Sequence, residues 1–334
     1  MKLKQIALLL AACVVLPNIA GAATCRFIFG VSQPITQPGL YCFARNVATT
    51  NGSGLVIRAD NVTVDFAGYK LSTTPIPGST AITTGVDAAQ NQNITIKNGT
   101  IQGYVIGINL GERVPTSDVG NFVVTNMRID QGNAPGFRVV SIFALASSFT
   151  LTNNTITNLS GAEAMGMLTH GTGSTIPAPG KIVITGNRID RLTASAGNNA
   201  VGIIVDGGAE TLVNDNVITE VYSGGANPNP FQQAAGIQIA SLAANSLTEV
   251  GGNTVRNAIN RANSTGIYLN TSGDQVAFVR DSVVSGMTTG LYLGGGCVPY
   301  YLYNTVTGAT TPYSIVGSPI PCSRVSADPG PGNR

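Results

Sequence analysis

The single histidine of the chain, His170, closes the phrase GMLTH, and Asp206 closes the phrase GIIVD. Both phrases share one pattern, (Gly/Ser)-apolar-x-apolar. It recurs as GINL (107–110), SIFA (141–144), GIQI (236–239), GIYL (266–269) and GLYL (290–293), with GMLT (166–169) and SIVG (314–317) as weaker copies. When the copies are aligned, the position after the phrase holds Gly111, His170, Asp206, Ala240, Asn270 and Gly294. His170 therefore falls beside Asp206 in adjacent copies. An imidazole oriented by a carboxylate is a general acid–base pair that titrates near neutrality. A plainer reading competes: GMLT is the least regular copy, a slip of one residue would turn His170 inward, and lone surface histidines are common.

The third position of the phrase holds Asn109, Leu168, Ile204, Gln238, Tyr268 and Tyr292. Tyr268 and Tyr292 in adjacent copies make a flat apolar strip of the kind on which sugar rings rest. Gln238 and Asn270 add amide donors and acceptors suited to sugar hydroxyls. Against this stands a cross-strand aromatic pair that merely stabilises a sheet. Other chemistry has no footing. The chain contains no Gly-x-x-x-x-Gly-Lys loop, no Gly-x-Ser-x-Gly elbow, no Cys-x-x-Cys pair and no His-Glu-x-x-His. No metal site and no cofactor is expected.

These residues need a scaffold that brings distant copies side by side, and a second phrase supplies it. NITIKNGTIQG (93–103), NFVVTNMRIDQ (121–131), SFTLTNNTITN (148–158), KIVITGNRIDRL (181–192) and ETLVNDNVITE (210–220) share the template apolar-x-apolar-x-(Asn/Gly/Asp)-(Asn/Ser)-x-(Ile/Val). The last position holds Ile101, Ile129, Ile156, Ile189, Ile218, Val255, Val284 and Val306. The sixth holds Asn154, Asn187, Asn216, Asn253, Ser282 and Asn304. The two phrases alternate through about eight units of unequal length, from the low twenties to the high thirties of residues, the range of a solenoid. Alternation at period two with β-branched residues predicts half-buried strands, not helices. Stacked coils lay inward Ile, Val and Leu on their own kind. The Asn-or-Gly step predicts a bend with positive φ, and stacked Asn side chains can hydrogen-bond along the axis. Only 10% of residues are charged, against about 25% in ordinary soluble proteins. A charge repeated at equivalent positions would meet its like about 4.8 Å away in the next coil.

The bend Asn, the GIxL phrase and the lead-in ITQPGLYCFARNV followed by NVTVDFAGYKL resemble the pectin-lyase-like right-handed parallel β-helix proteins, over residues from about 35 to 317. The resemblance implies an all-β, single-stranded right-handed parallel β-helix of about eight to ten coils with three short strands each. GIxL would be the first strand, VIT-type segments the second and RID-type segments the third. It further implies that substrate lies along the outer face of the first sheet, where the tyrosines and the His170–Asp206 pair would sit. Many chemistries and many non-enzymes share the scaffold. The signatures of polygalacturonase-like hydrolases are mostly missing: Asn253-Thr254 is followed by Val255, no Asp-Asp occurs, Thr169-His170-Gly171 keeps only His-Gly, and Arg188-Ile189 is followed by Asp190. The acid clusters of calcium-dependent pectate lyases are also missing. The two Arg-Ile-Asp copies (Arg128 to Asp130, Arg188 to Asp190) read as solvated ion pairs on the third strand.

The amino terminus opens with Met-Lys-Leu-Lys, an apolar run from Ile6 to Leu16 and small residues at Ala20-Gly21-Ala22. That is the layout of a signal peptide over 1–22, so secretion to the periplasm or outside a bacterial cell is expected. Leu10-Ala11-Ala12-Cys13 offers a lipoprotein alternative with the lipid on Cys13. No stretch is long enough to span a membrane. Four cysteines follow, Cys25, Cys42, Cys297 and Cys322. Two local disulfides are the natural pairing among three possibilities, one near each end of a domain over 23–325. The tail SADPGPGNR (326–334) reads as disordered. The longest connection, TEVYSGGANPNPFQQAA (219–235), is a candidate functional loop, with drift at a tolerant turn as the simpler account. A net charge of +2 favours neither nucleic acid nor an anionic membrane as partner. Two functions result: a non-catalytic module binding a polysaccharide or other glycan on the first sheet, or a polysaccharide lyase or glycoside hydrolase with a variant site at His170 and Asp206. The oligomeric state is left open.

Overall fold

The computed structural model describes residues 24–317, except 51–52, 75–77, 85–91, 111–119, 146–147, 171–179, 196–197, 207, 209, 224–233, 241–245, 272–275 and 298. The expected signal peptide, Cys13, Cys322 and the 326–334 tail lie outside the described residues. Every strand pairing is parallel, and no helix occurs among the described residues.

Three ladders run the length of the molecule. In the second, Ser148–Thr152, Lys181–Thr185, Glu210–Asn214, Leu247–Gly251 and Val276–Arg280 pair in sequence order, each with its counterpart one unit later. In the third, the start of Thr155–His170 pairs with Arg188–Ala194, which pairs with Val217–Ser223. The first holds the GIxL phrases: Ile106–Leu110, Ala200–Asp206, Ala234–Ala240 and Thr311–Gly317 among them. At four places the third and first strands are not separate as expected. Asn121–Leu145, Thr155–His170, Thr254–Thr271 and Val283–Gly295 each run on from one ladder into the next, with register breaks between Ala134 and Arg138 and around Arg261. The chain bends there without losing its pairing, the work of a β-bulge. The supposed 219–235 loop is also shorter than expected. Residues Thr219, Val221, Tyr222 and Ser223 pair with the preceding unit, and Val221 is buried.

The expected bend is present in every copy. The fifth template position has positive φ in Asn98, Asn126, Asn153, Gly186, Asp215, Gly252, Asp281 and Tyr303. The sixth position points inward and builds a continuous amide chain. Asn154 donates from its backbone N and Nδ2 to Asn187 Oδ1 at 2.9 and 3.0 Å. Asn187 does the same to Asn216, and Asn216 to Asn253, all at 3.0 Å. Each Nδ2 also reaches a strand carbonyl, Leu151 O for Asn187 and Ile184 O for Asn216. These asparagines are buried and fully paired, which is the only condition under which burying them is tolerable.

Apolar files fill the interior. Ile101, Ile129, Ile156, Ile189, Ile218, Val255 and Val284 stack on the third ladder, and Ile108, Ile142, Met167, Ile203, Ile237, Ile267 and Leu291 on the first, all fully buried. Two residues break the pattern on the second ladder, Thr211 and Thr248, whose buried hydroxyls have no hydrogen-bond partner. The Gly that opens GIxL lies where coils press closest. A Cβ on Gly202 would stand 2.6 Å from Gly236 O and 2.8 Å from Ile218 Cγ2. Where Ser141 replaces that Gly, its Oγ donates to the buried Gln131 Oε1 at 3.0 Å.

Where charges occur along the stack, opposites meet. Lys181 Nζ lies 2.6 Å from Glu210, Arg280 Nη2 2.7 Å from Glu249, and Lys97 Nζ 3.4 Å from Asp65, each pair spanning neighbouring coils. Asp190 pairs with Arg191 at 3.4 Å, the next residue along, where the Arg-Ile-Asp phrase suggested Arg188. Cys25 and Cys42 form the expected disulfide. Cys297 is also disulfide-bonded; its expected partner lies outside the described residues.

Candidate functional site

The first ladder sets its third-position residues in one file by register alone. Val56, Thr83, Asn109, Phe143, Leu168, Ile204, Gln238, Tyr268, Tyr292 and Ser314 are successive Cα partners. From Val56 to Tyr292 the described residues flanking them along each strand are buried, at Ser314 Tyr313 is half-buried and Ile315 exposed, and the file itself is half-exposed throughout. It is the outer face of the sheet.

The register expected for Gln238, Tyr268 and Tyr292 is the register found. The two phenol rings stack with centroids 4.8 Å apart and planes 12° from parallel, close to the rung spacing of a sheet. Burial pushes the Tyr268 phenol above its ordinary pKa, and the neighbouring Tyr292 adds to the rise. Burial raises Tyr292 as well. Both rings therefore stay neutral through the physiological range, each half-exposed and carrying a hydroxyl that can donate or accept. Gly294 makes room for this arrangement, because a Cβ there would lie 3.0 Å from Tyr292 Cε1. Asn270, on the same strand as Tyr268, is the Cα partner of Gly294, and its Oδ1 lies 2.7 Å from where a Gly295 Cβ would be. So Tyr268, Tyr292, Gln238 and Asn270 share one face across three adjacent strands.

His170 and Asp206 are Cα partners in neighbouring coils, so the irregular GMLT copy keeps its register. The side chain of His170 lies outside the description. Asp206 is half-exposed. The strand Ala234–Ala240 lies between the Asp206 strand and the Tyr268 strand, placing the two groups about 10 Å apart along the axis.

Two features escaped the sequence reading. Phe143 belongs to the outward file, and its signal was present: it is the third residue of SIFA. Phe278 and Tyr300, both half-exposed, also form a stacked pair, 5.5 Å between centroids and 22° between planes, on the second ladder. No repeated phrase marks it, because the outward positions of that ladder carry no motif of their own. Among the described residues, no group of three or more His, Cys, Asp or Glu is arranged to hold a metal ion.

Residues 142–308, half of the chain, match the family described as the right-handed β-helix region. The chain belongs to the right-handed β-helix family. Among solved structures, this β-helix protein is similar to the A-modules of two mannuronan C-5 epimerases of Azotobacter vinelandii. With that of AlgE6 it shares 13% identity and a TM-score of 0.35, covering 89% of each chain. With that of AlgE4 it shares 12% identity and a TM-score of 0.28, covering 91% of this chain and 90% of the other. No curated protein matches its sequence.

Proposed function

We propose that this β-helix protein, a stack of about eight to ten coils, is a secreted module that binds a glycan without altering it. The ligand lies on the outer face of the first sheet, in contact with Tyr268, Tyr292, Gln238 and Asn270. The observation that carries the reading is the outward Tyr268–Tyr292 stack flanked in register by Gln238. Flat, neutral rings hold sugar faces by dispersion and apolar burial, and adjacent amides pair with hydroxyls. Secretion agrees with the Cys25–Cys42 disulfide, since such bonds persist in oxidising compartments. Affinity electrophoresis and calorimetry against a polysaccharide panel test it. Binding that falls at least ~10-fold in Tyr268→Ala with Tyr292→Ala is expected, since each lost platform removes over 1 kcal/mol. Absence of binding to every polysaccharide, or binding indifferent to both substitutions, overturns it.

One observation favours a second reading, that of a lyase or hydrolase: the Cα register of His170 with Asp206. Under it, His170 is the general base or acid and Asp206 orients its ring. Product analysis after prolonged incubation decides, with His170→Ala as the control; chain cleavage lost in that variant would replace the binding module with an enzyme.

A further inference from the structure

We propose a second saccharide-binding site, on the second sheet, centred on Phe278 and Tyr300. It rests on the glycan-binding reading above and makes the protein bivalent. Two register files set the outward face there. One runs Leu212, Glu249, Phe278 and Tyr300, the other Asn214, Gly251, Arg280 and Leu302. In earlier coils the first file holds Thr63, Thr95, Val123, Thr150 and Val183, β-branched residues that suit a sheet surface. Rings replace them at Phe278 and Tyr300, half-exposed and stacked. These are the strands that directly follow those of Tyr268 and Tyr292, so the same two coils carry both outward aromatic pairs.

Planar polar groups are fixed beside the rings. Glu249, the Cα partner of Phe278, accepts at Oε1 from Arg280 Nη2 at 2.7 Å and from Asn214 Nδ2 at 3.3 Å. Arg280 Nη1 donates to Asp281 Oδ2 at 2.7 Å. These bonds use two of the five guanidinium N–H groups. The remaining N–H groups and Glu249 Oε2 have no partner among the described residues. A Cβ on Gly251 would stand 3.1 Å from Asn214 Oδ1 and 3.5 Å from Glu249 Oε1, so the bare glycine keeps the ground between them open. Tyr303 marks the rim. It is 65% exposed and holds φ at 56°, at the bend where the other copies place Asn, Gly or Asp. A bulky ring rarely adopts that backbone, and strain of this kind gathers where a surface makes contacts.

The chemistry matches a saccharide. Apolar sugar faces pack on Phe278 and Tyr300. Hydroxyls bridge the Glu249 carboxylate and the Arg280 guanidinium, whose charge strengthens each hydrogen bond. A cross-strand pair that only stabilises the sheet accounts for the rings but not for oriented donors and acceptors beside them. With a site on each of two sheets, one molecule holds two stretches of polymer and binds long chains more tightly than short ones.

The test is equilibrium dialysis of the full chain against hexasaccharides of glucan, xylan, mannan and uronan type. Two molecules bound per chain are expected for the type that binds. One is expected to remain in Phe278→Leu with Tyr300→Leu, and one in Tyr268→Leu with Tyr292→Leu, since leucine keeps the apolar cover of each sheet but removes the platform. Should the Phe278 and Tyr300 variant fail to fold, Glu249→Gln decides, with an expected ~10-fold weakening at one of the two sites only. A single hexasaccharide per chain, lost with Tyr268 and Tyr292 and indifferent to Phe278, Tyr300 and Glu249, overturns the inference and leaves the glycan-binding reading standing. Binding of no type removes that reading and this inference with it.

Discussion

Tyrosines carry both the proposed function and a pH signature. Tyr104 is fully buried, and burial raises its phenol pKa against a smaller opposing effect of its 2.9 Å hydrogen bond with Thr49. Burial raises Tyr268, Tyr292 and Tyr313 too. An acid whose folded pKa is raised stabilises the fold fully below its unfolded value, about 10 for a phenol. That stability is lost as pH rises through the folded value, because the unfolded chain releases its protons first. The urea midpoint is therefore expected to hold up to about pH 10 and to fall above it. Ultraviolet titration of phenolate checks the assignment: a late-titrating class should shrink in Tyr104→Phe. At the same scale, Thr211 and Thr248 bury hydroxyls that bond to nothing. Replacing either with Val keeps the shape and removes the orphan, so a gain of about 1 kcal/mol in the urea midpoint series is expected.

The stacked element has tolerant and intolerant positions, and the sequence repeat shows which is which. Asn216 accepts two hydrogen bonds from Asn187 and donates to Ile184 O and Asn253 Oδ1. Asn216→Ala strands these buried partners and is expected to cost about 3 kcal/mol in equilibrium unfolding. Gly202→Ala drives a methyl into the Gly236 carbonyl and the Ile218 side chain, neither of which can retreat from its own coil. A loss of about 3 kcal/mol is expected there too, while Gly30→Ala, with open space around it, should leave the midpoint unchanged. The bend, the amide chain, the Gly position and the register of the outward file were all legible, because a solenoid writes each constraint once per coil. What escaped is not spelled out in the repeated phrases. The merging of third and first strands depends on register breaks such as that after Ala134, which leave no repeated mark. The extension of Val217–Ser223 into the supposed loop comes from pairing with Leu192 and Thr193, a partner rather than a local preference. The Arg191–Asp190 pair lies at a second bend, where positive φ recurs at Gly103, Asn158, Arg191, Glu220, Gly286 and Gly308, and the Arg-Ile-Asp phrase does not announce it.

Across the whole molecule, stability is close to a sum over neighbouring coils, so damage at one end should stay there. The Cys25–Cys42 bond closes a 17-residue separation at the amino-terminal end, a staple worth about 3 kcal/mol by loop entropy. Cys25→Ser with Cys42→Ser should expose the first coils to limited proteolysis while leaving glycan affinity at Tyr268 within ~2-fold of its original value. Loss of binding in that variant would show that the ends communicate. The amide chain has its own large-scale meaning. Every link from Asn154 to Asn253 donates in the same direction, and each amide offers to the next what it receives from the one before. Such a chain has no preferred number of members. Excising one full period would rejoin a donor to an equivalent acceptor, whereas removing a fraction of a period would leave both ends open. Growth and shrinkage of this protein are thereby quantised: its length can change by whole turns, and any fractional change is written against by the asparagines at its centre.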